Sequence, residues 1–239
     1  MIPKIIHYCW FGRGEMPQLA LDCIASWHKY MPDWEYRLWN EDNFDVNSNV
    51  YCREAYQAKK YAFVTDYVRL VALEKEGGLY LDTDVEAFKS FEPLLQYHAF
   101  AGFEGSKHQP IGTCVLATEP HGIWVTEQLN DYNSRQFVKE DGSMDLTTNV
   151  NYISSKMRQQ GFLQNGQEQD YKDLHIFPVD YFSPRHTTGE YIRTSNTFSE
   201  HKCFASWSDS KCGWKDSLRL LIGQRNMTRL IQLKRKLIG

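Results

Sequence analysis

The chain has 239 residues, which is enough for one large domain with a sizeable hydrophobic core. The net charge of −3 argues against nucleic acid as the main partner, because binding to a phosphate backbone needs a strong basic excess. The six cysteines show neither a C-x-x-C pair nor zinc-site spacing, so we expect reduced thiols. No secretory signal and no apolar stretch long enough to span a membrane is visible, which predicts a cytoplasmic location.

The first third of the chain alternates between strand-like and helix-like patterns. The predicted strands are 4–10, 34–39 and 79–81, and the predicted helices are 17–30 and 51–73. Gly77 and Gly78 are expected to end the second helix. This alternation is typical of a mostly parallel sheet covered by helices, in which ligands bind beyond the carboxyl ends of the strands. Trp10 and Asp82 follow the first and third strands, so we expect them to converge on one site.

The pattern is looser after residue 98. The predicted strands are 98–103, 112–117, 174–181 and 202–206, the predicted helices are 121–136 and 149–160, and the predicted loop is 163–173. Residues 214–239 read as a basic amphipathic helix. Two roles stay open for this helix: peripheral contact with an anionic membrane surface, or packing of its leucine face on the domain.

Two carboxylates, Asp82 and Asp84, follow the third strand directly. In an extended segment, side chains two residues apart point to the same side. Carboxylate oxygens are the ligands that Mg²⁺ and Mn²⁺ prefer, and these cations often keep substrate phosphates in their shell. A lone D-x-D pattern usually marks a solvated turn, but its position behind an apolar strand and a Gly-Gly turn favours a metal site.

Asp66 and Arg69 are three residues apart on the second predicted helix and therefore share a face. One interpretation is a surface ion pair that contributes at most about 1 kcal/mol. The apolar neighbours of this pair predict a buried helix, where a charged pair is expected to meet a polar ligand. Sugar hydroxyls suit it, because the carboxylate accepts and the guanidinium donates hydrogen bonds.

Three segments in this order resemble glycosyltransferase family 32. They read IPKIIHYCWFG at 2–12, AFVTDYVRL at 62–70 and GGLYLDTDV at 77–85, and a fourth element runs from 201 to 207. The family contains bacterial capsule and lipopolysaccharide sugar transferases and mannosyltransferases, and its core is similar to the glucosylating domains of large clostridial toxins. The resemblance implies an α/β GT-A fold, Rossmann-like and nucleotide-sugar-binding, at 1–213. Residues 1–100 would form the nucleotide-sugar half and 101–213 the acceptor half with a closing motif.

The resemblance also implies roles for the residues on the donor side. Trp10 would stack on the nucleobase, as aromatic faces do. Asp66 and Arg69 would hold the donor sugar, and Asp82 would contact both the ribose and the sugar. Together with Asp84, these three charged residues form the implied catalytic group.

A second set of roles concerns the metal and the closing motif. Asp84 would ligate Mn²⁺ or Mg²⁺ directly, and His201 would lie near the metal or the diphosphate. Ser206 and Trp207 would close over the donor phosphates. Many relatives carry Gly-Pro in the region of 148–150, where this chain has Thr-Asn-Val, so the resemblance says little about the acceptor.

The implied reaction transfers a hexose from a nucleotide-diphosphate sugar to a glycan or lipid-linked saccharide, with a divalent metal and with retention at the anomeric carbon. UDP-galactose, UDP-glucose and UDP-N-acetylglucosamine are expected before GDP-mannose. Three alternatives remain: a metal-dependent nucleotide-sugar hydrolase or phosphoesterase, a toxin-like transferase that modifies a protein, and a non-catalytic sugar-binding module. A phosphoesterase usually needs a second metal cluster, and no further Asp/His-rich motif is obvious in the sequence.

Overall fold

The computed structural model describes residues 1–105, 110–184 and 193–202. The strands are β1 (Ile5–Cys9), β2 (Glu35–Trp39), β3 (Gly78–Leu81), β4 (Val85–Ala87), β5 (Ala99–Gly102), β6 (Val115–Thr118), β7 (Gln169–Tyr171), β8 (Leu174–Phe177) and β9 (Ser199–His201). The helices are α1 (Gln18–Tyr30), α2 (Val50–Gln57), α3 (Tyr61–Glu76), α4 (Ile123–Asp131), α5 (Asn149–Gln159) and α6 (Val179–Phe182), with a 3-10 turn at Glu92–Leu94.

A seven-stranded sheet in the order β2-β1-β3-β6-β5-β8-β7 forms the centre of the described part of the chain. β1, β2, β3, β5 and β8 run in one direction, while β6 and β7 run opposite to them. β4 and β9 form a separate antiparallel pair. The α/β class and the mostly parallel central sheet that the sequence predicted are confirmed.

Apolar side chains cover both faces of the sheet. Alternate residues of β3 point to opposite faces, so Tyr80 joins one hydrophobic cluster while Leu79 and Leu81 join the other. Trp27 of α1 packs in the cluster of Leu79, and Phe63 of α3 packs in the cluster of Tyr80. α1 and α3 therefore enclose the sheet from its two sides and leave its edges for the site.

The turn after α3 sets the position of β3. The helix ends at Glu76, and Gly77 adopts a φ of +63°, which a residue with a side chain rarely adopts. A Cβ atom at Gly77 would lie 2.7 Å from Pro120, so the chain also passes too close to its neighbour for any other residue. The predicted glycine stop is confirmed, and it leads the chain directly into the strand that ends before Asp82.

Three sequence-based boundaries were wrong. The single helix predicted at 51–73 is divided into α2 and α3, because Lys59 adopts a left-handed φ of +58° and interrupts the first helix. The predicted loop at 163–173 contains β7, which pairs with β8. The strand predicted at 174–181 ends at Phe177, because Pro178 has no N–H to continue the strand pairing and is the N-cap residue of α6.

Several predictions concern residues outside the described ranges. The amphipathic helix at 214–239, most of the strand predicted at 202–206, and both Ser206 and Trp207 fall there. The division of the chain at residues 100 and 213 stays a prediction. No helix within residues 1–105, 110–184 and 193–202 combines the length and the hydropathy that crossing a bilayer requires.

Candidate active site

A cavity of about 790 Å³ opens at the carboxyl edge of the sheet. Trp10, Asp82 and Glu104 line it from the segments that follow β1, β3 and β5. Cys114 reaches the same edge because β6 runs antiparallel, so its amino end lies beside the carboxyl ends of its neighbours. The expected convergence of Trp10 and Asp82 on one cavity is confirmed.

The rim of the cavity is the loop that follows β1. The Trp10 indole N–H donates a hydrogen bond to the Gly14 carbonyl over 2.6 Å, which anchors the side chain within its own loop. Gly12 adopts a φ of +98°, and its N–H donates to Glu41 over 2.6 Å. A Cβ atom on Gly12 would lie 2.3 Å from the Tyr61 ring. Only glycine therefore lets this loop pass directly over that aromatic side chain.

Arg69 lies at the centre of a buried charge network. Its Nη2 atom lies 2.9 Å from Asp66 Oδ1 and 3.3 Å from Asp82 Oδ1. Its Nη1 atom donates to the Thr113 carbonyl over 2.7 Å, and the guanidinium lies 4.7 Å from the centre of the Tyr80 ring. Since Arg69 is only 4% exposed, the surface ion pair is excluded. In this geometry the guanidinium orients two carboxylates toward the cavity, and most of its donors are engaged in doing so.

The environment of Asp66 favours the neutral acid more than an ordinary site does. Burial raises the pKa of Asp66 to about 6, and the Arg69 guanidinium opposes this only in part. Asn149, at the start of α5, lines the cavity beside it and is 5% exposed. Neither atom of the Asn149 amide makes a hydrogen bond of regular geometry among the described residues, although the amide lies close enough to Asp66 to lower the pKa of that carboxyl. A buried amide of this kind is available to pair with a polar group of a ligand.

Asp82 and Asp84 lie in a turn, not in the extended segment that the sequence argument assumed. The Val85 N–H donates to the Asp82 carbonyl over 2.9 Å and closes this turn between β3 and β4. The two carboxylates converge all the same, and their oxygens lie within 4.8 Å of each other and of a His201 ring nitrogen. The premise was wrong, but the expected proximity holds because the turn brings both side chains to the same side.

Strand pairing brings His201 to the carboxylates from a distant part of the sequence. In the β4–β9 pair, His201 stands opposite Val85, and the Lys202 N–H donates to the Asp84 carbonyl over 2.9 Å. His201 Nε2 then lies 3.3 Å from Asp84 Oδ1. Two carboxylates and one imidazole match the oxygen-rich ligand preference of Mn²⁺ or Mg²⁺, so these residues fit a divalent cation.

The protonation of His201 reflects its acidic surroundings. Burial lowers its pKa, but Cys114 and the Asp84 carboxylate outweigh burial, and the pKa is raised well above its ordinary value. The imidazole must be neutral to ligate a metal. Cation binding at this point therefore displaces a proton from the ring.

Glu104, Cys114 and Asn149 were not predicted as site residues. Glu104 follows the carboxyl end of β5, so the rule that selected Asp82 applies to it as well. Cys114 precedes β6, and its place in the site follows only from the reversed direction of that strand. Asn149 lies in the Thr-Asn-Val segment that sequence analysis had noted only as a departure from many relatives.

Residues 17–101 match the family described as a glycosyltransferase sugar-binding region containing the DXD motif. This part of the chain resembles that family, and it is less than half of the sequence. It contains Asp66, Arg69, Asp82 and Asp84, and it ends within β5. Glu104, Cys114, Asn149 and His201 lie beyond the matched residues.

Curated relatives match over parts of their length. Inositol phosphoceramide mannosyltransferase 3 of Schizosaccharomyces pombe is 35% identical over 103 residues, which is 41% of this chain and 29% of the relative. Subversion of eukaryotic traffic protein A of Legionella pneumophila is 24% identical over 173 residues, which is 59% of this chain and 26% of that protein. The chain thus matches less than a third of the length of either relative.

Solved glycosyltransferase structures are more distant. The PaToxG glycosyltransferase aligns with 67% of this chain and 70% of its own at 15% identity, with a TM-score of 0.48. A glycosyltransferase involved in glycosylation of the major capsid of PBCV-1 aligns with 84% of this chain and 95% of its own at 14% identity, with a TM-score of 0.45.

Proposed function

We propose that this chain is a divalent-cation-dependent glycosyltransferase that moves a hexose from a nucleotide-diphosphate sugar to a glycan or a lipid-linked saccharide. The observation behind the proposal is the joint placement of Asp82, Asp84 and His201 in a cavity that also contains the Asp66–Arg69 pair. The carboxylates of this group lie within the segment that matches the DXD family.

The residues divide the work between the diphosphate and the sugar. Asp82, Asp84 and His201 would hold the cation, which when bound neutralises negative charge on the leaving diphosphate. Arg69 acts as a positioning residue, because it fixes the carboxylates of Asp66 and Asp82 relative to each other. This refines the expected role of Arg69, which the resemblance placed directly on the donor sugar.

Asp66 and Asn149 are the proposed partners of the sugar hydroxyls. The ionised Asp66 carboxylate accepts hydrogen bonds, and the Asn149 amide can both donate and accept them. Their side chains are adjacent and buried, so neither is strongly hydrated before a sugar hydroxyl binds there. Trp10 at the rim stays the proposed stacking partner of the nucleobase.

The identities of sugar and acceptor are open within this reaction class. The resemblance favoured UDP-sugars, whereas the name of the fission yeast relative contains mannosyltransferase, which places mannose beside them. The same name contains inositol phosphoceramide, and this supports a lipid among the acceptors. Work in the cytoplasm, with contact to the inner face of the membrane through residues 214–239, also stays a proposal.

The test is release of nucleoside diphosphate from UDP-glucose, UDP-galactose, UDP-N-acetylglucosamine and GDP-mannose, with Mn²⁺, Mg²⁺ or EDTA. Calorimetric binding of the same donors to the full chain accompanies it, because turnover can require an acceptor. We expect one donor to bind and to be turned over only with a cation. Donors that neither bind nor turn over with any cation would contradict the proposal.

Asp84→Asn tests the metal assignment. We expect it to lower turnover by roughly 100-fold or more, since loss of an outer-shell partner alone costs 10- to 100-fold. Its thermal midpoint should match the parent, because the substitution keeps the shape of the side chain. Asp33→Asn is the control, since Asp33 is an exposed carboxylate outside the cavity. A folded Asp84→Asn protein with unchanged turnover would refute the metal role.

A further inference from the structure

A second set of ligand atoms lies beside the first and shares one residue with it. Atoms of Glu104, Cys114 and His201 lie within 4.8 Å of one another, as do those of Asp82, Asp84 and His201. The two ring nitrogens of His201 lie near different carboxylates. Nε2 lies 3.3 Å from Asp84 Oδ1, and Nδ1 lies 3.9 Å from Glu104 Oε2.

The two sets differ in chemical softness. Asp82 and Asp84 supply oxygen only, which suits Mg²⁺ or Mn²⁺, whereas Cys114 adds a sulfur that these cations do not prefer. One thiolate, one imidazole and one carboxylate are all ligand types that Zn²⁺ takes, and three protein ligands with an open fourth position make a common zinc arrangement. Cys114 is 2% exposed yet lines the cavity, so a cation can reach it from there.

The second set would bind a cation in its deprotonated form. The thiolate is the form of a cysteine that ligates metals, so binding would release the Cys114 proton to solvent. His201 would ligate as the neutral imidazole and Glu104 as the carboxylate, so any proton on either group would be released as well.

We infer that Glu104, Cys114 and His201 form a site for Zn²⁺ or another thiophilic divalent cation, and that this site competes with the Asp82–Asp84 pair for His201. A neutral imidazole has one nitrogen lone pair for a metal, so His201 can ligate one cation at a time. Zn²⁺ at the second site withdraws His201 from the first and inhibits the enzyme. The inhibition rests on the proposed function, whereas the binding of Zn²⁺ does not.

Binding is tested with Cd²⁺, whose thiolate complexes absorb in the ultraviolet through charge transfer. We expect the full chain to show this band on titration and Cys114→Ser to lose it. Cys9→Ser is the matched control, because Cys9 is another buried thiol that lines the same cavity, and it should keep the band. A band that persists in Cys114→Ser would overturn the assignment, since the metal would then be held by another cysteine.

Two further variants keep the assignment testable if Cys114→Ser does not fold. Glu104→Gln retains the thiol and should keep the band while weakening Cd²⁺ binding by about tenfold or more. Asp84→Asn leaves the second set intact and should bind Cd²⁺ as the parent does. Unchanged affinity in Glu104→Gln, or loss of the band in Asp84→Asn, would contradict a separate second site.

Inhibition is measured as release of nucleoside diphosphate with Mn²⁺ in excess and increasing Zn²⁺. We expect the inhibitory Zn²⁺ concentration to rise roughly 100-fold in Cys114→Ser and to stay unchanged in Cys9→Ser. Equal Zn²⁺ sensitivity of Cys114→Ser and the parent would refute the competition. If no donor is turned over, the proposed function fails, and the Cd²⁺ band still decides whether the second site exists.

Discussion

The two walls of the cavity hold their polar groups in different ways. The wall formed by residues up to 84 is an ion-pair network, in which Arg69 joins Asp66 and Asp82. The wall formed by residues after 98 includes Asn149, whose buried amide lies beside Asp66 and makes no hydrogen bond of regular geometry in the described part of the chain. The first wall thus completes its contacts within the protein, while the second keeps binding capacity for a ligand. This difference predicts that breaking the Arg69 network lowers stability as well as binding, whereas substitution of Asn149 affects mainly binding.

The strongest break of the first wall is Arg69→Met. It leaves Asp66 and Asp82, with side chains only 13% and 24% exposed, without the guanidinium group that pairs with both. Removal of one member of a buried ionic network typically costs about 3–5 kcal/mol, so we expect a loss of this size in the free energy of unfolding. Urea denaturation measures it, and donor binding should be lost as well.

Arg135→Met is the control for that substitution. The Arg135 guanidinium lies 4.0 Å from the Tyr152 ring centre and 3.5 Å from Asp145, so it has one carboxylate partner where Arg69 has two. We expect a clearly smaller loss of stability. If the free energy of unfolding of Arg69→Met lies within about 1 kcal/mol of that of the parent, the network does not stabilise the first wall.

The same division explains what could be predicted from the sequence. The strands predicted at 4–10, 34–39 and 79–81, the glycine stop at Gly77 and the shared face of Asp66 and Arg69 depend on neighbours in the chain, and the structure confirms them. Glu104 follows a strand in the same way as Asp82, and wider use of that rule would have found it.

Other features depend on contacts that a single sequence does not reveal. Nothing in a lysine indicates the left-handed backbone of Lys59 that separates α2 from α3. Cys114 enters the site because β6 runs opposite to its neighbours, and His201 because β9 pairs with β4. The resemblance supplied His201, since local periodicity gives no signal for a residue that long-range pairing places.

Asn149→Ala tests the second wall. We expect kcat/KM for the donor to fall by roughly 10- to 100-fold, because a sugar hydroxyl would lose its hydrogen-bond partner. Stability should change little, since the buried amide lies beside Asp66 but makes no hydrogen bond of regular geometry within the described protein. Steady-state kinetics and thermal unfolding on the same preparation measure the two effects.

Asn151→Ala is the matched control for that change. Asn151 lies on the same helix and lines the same cavity, but it is exposed. We expect little effect on either quantity. The opposite pattern in Asn149→Ala, a large loss of stability with unchanged kcat/KM, would assign Asn149 to the core of the fold and remove it from the proposed sugar site.

Gly12→Ala against Gly14→Ala tests the rim of the first wall. Alanine at position 12 would have to adopt a φ of +98°, and its Cβ atom would collide with the Tyr61 ring. We therefore expect the free energy of unfolding to fall by about 1–2 kcal/mol and donor binding to weaken. A Cβ atom on Gly14 meets no atom within 4 Å, and its backbone carbonyl stays available to Trp10. Equal melting temperatures and equal donor KM values for the two variants would show that the rim tolerates displacement.

The smallest expected effect is the pH dependence that Asp66 contributes to stability. Its pKa is about 6 in the folded protein against an ordinary value of 3.8, so between these values the folded state holds more protons than the unfolded state. Its contribution to stability is therefore present at low pH and is lost as the pH rises toward 6. From pH 5 to pH 7 we expect this group to lower the free energy of unfolding by roughly 1 kcal/mol, and Asp66→Asn to remove that slope.

Asp145→Asn provides the opposite case outside the residues that line the cavity. Although burial opposes it, hydrogen bonds from Thr147 and the charge of Arg135 lower the pKa of Asp145, so this carboxylate is ionised in both states above pH 5. The difference in free energy of unfolding between Asp145→Asn and the parent should not change from pH 5 to pH 7.

Donor binding to the parent should strengthen over the same pH range, because Asp66 accepts hydrogen bonds best when ionised. A parent and Asp66→Asn protein with the same slope would show that Asp66 is already ionised at pH 5, and that Arg69 compensates its burial in full.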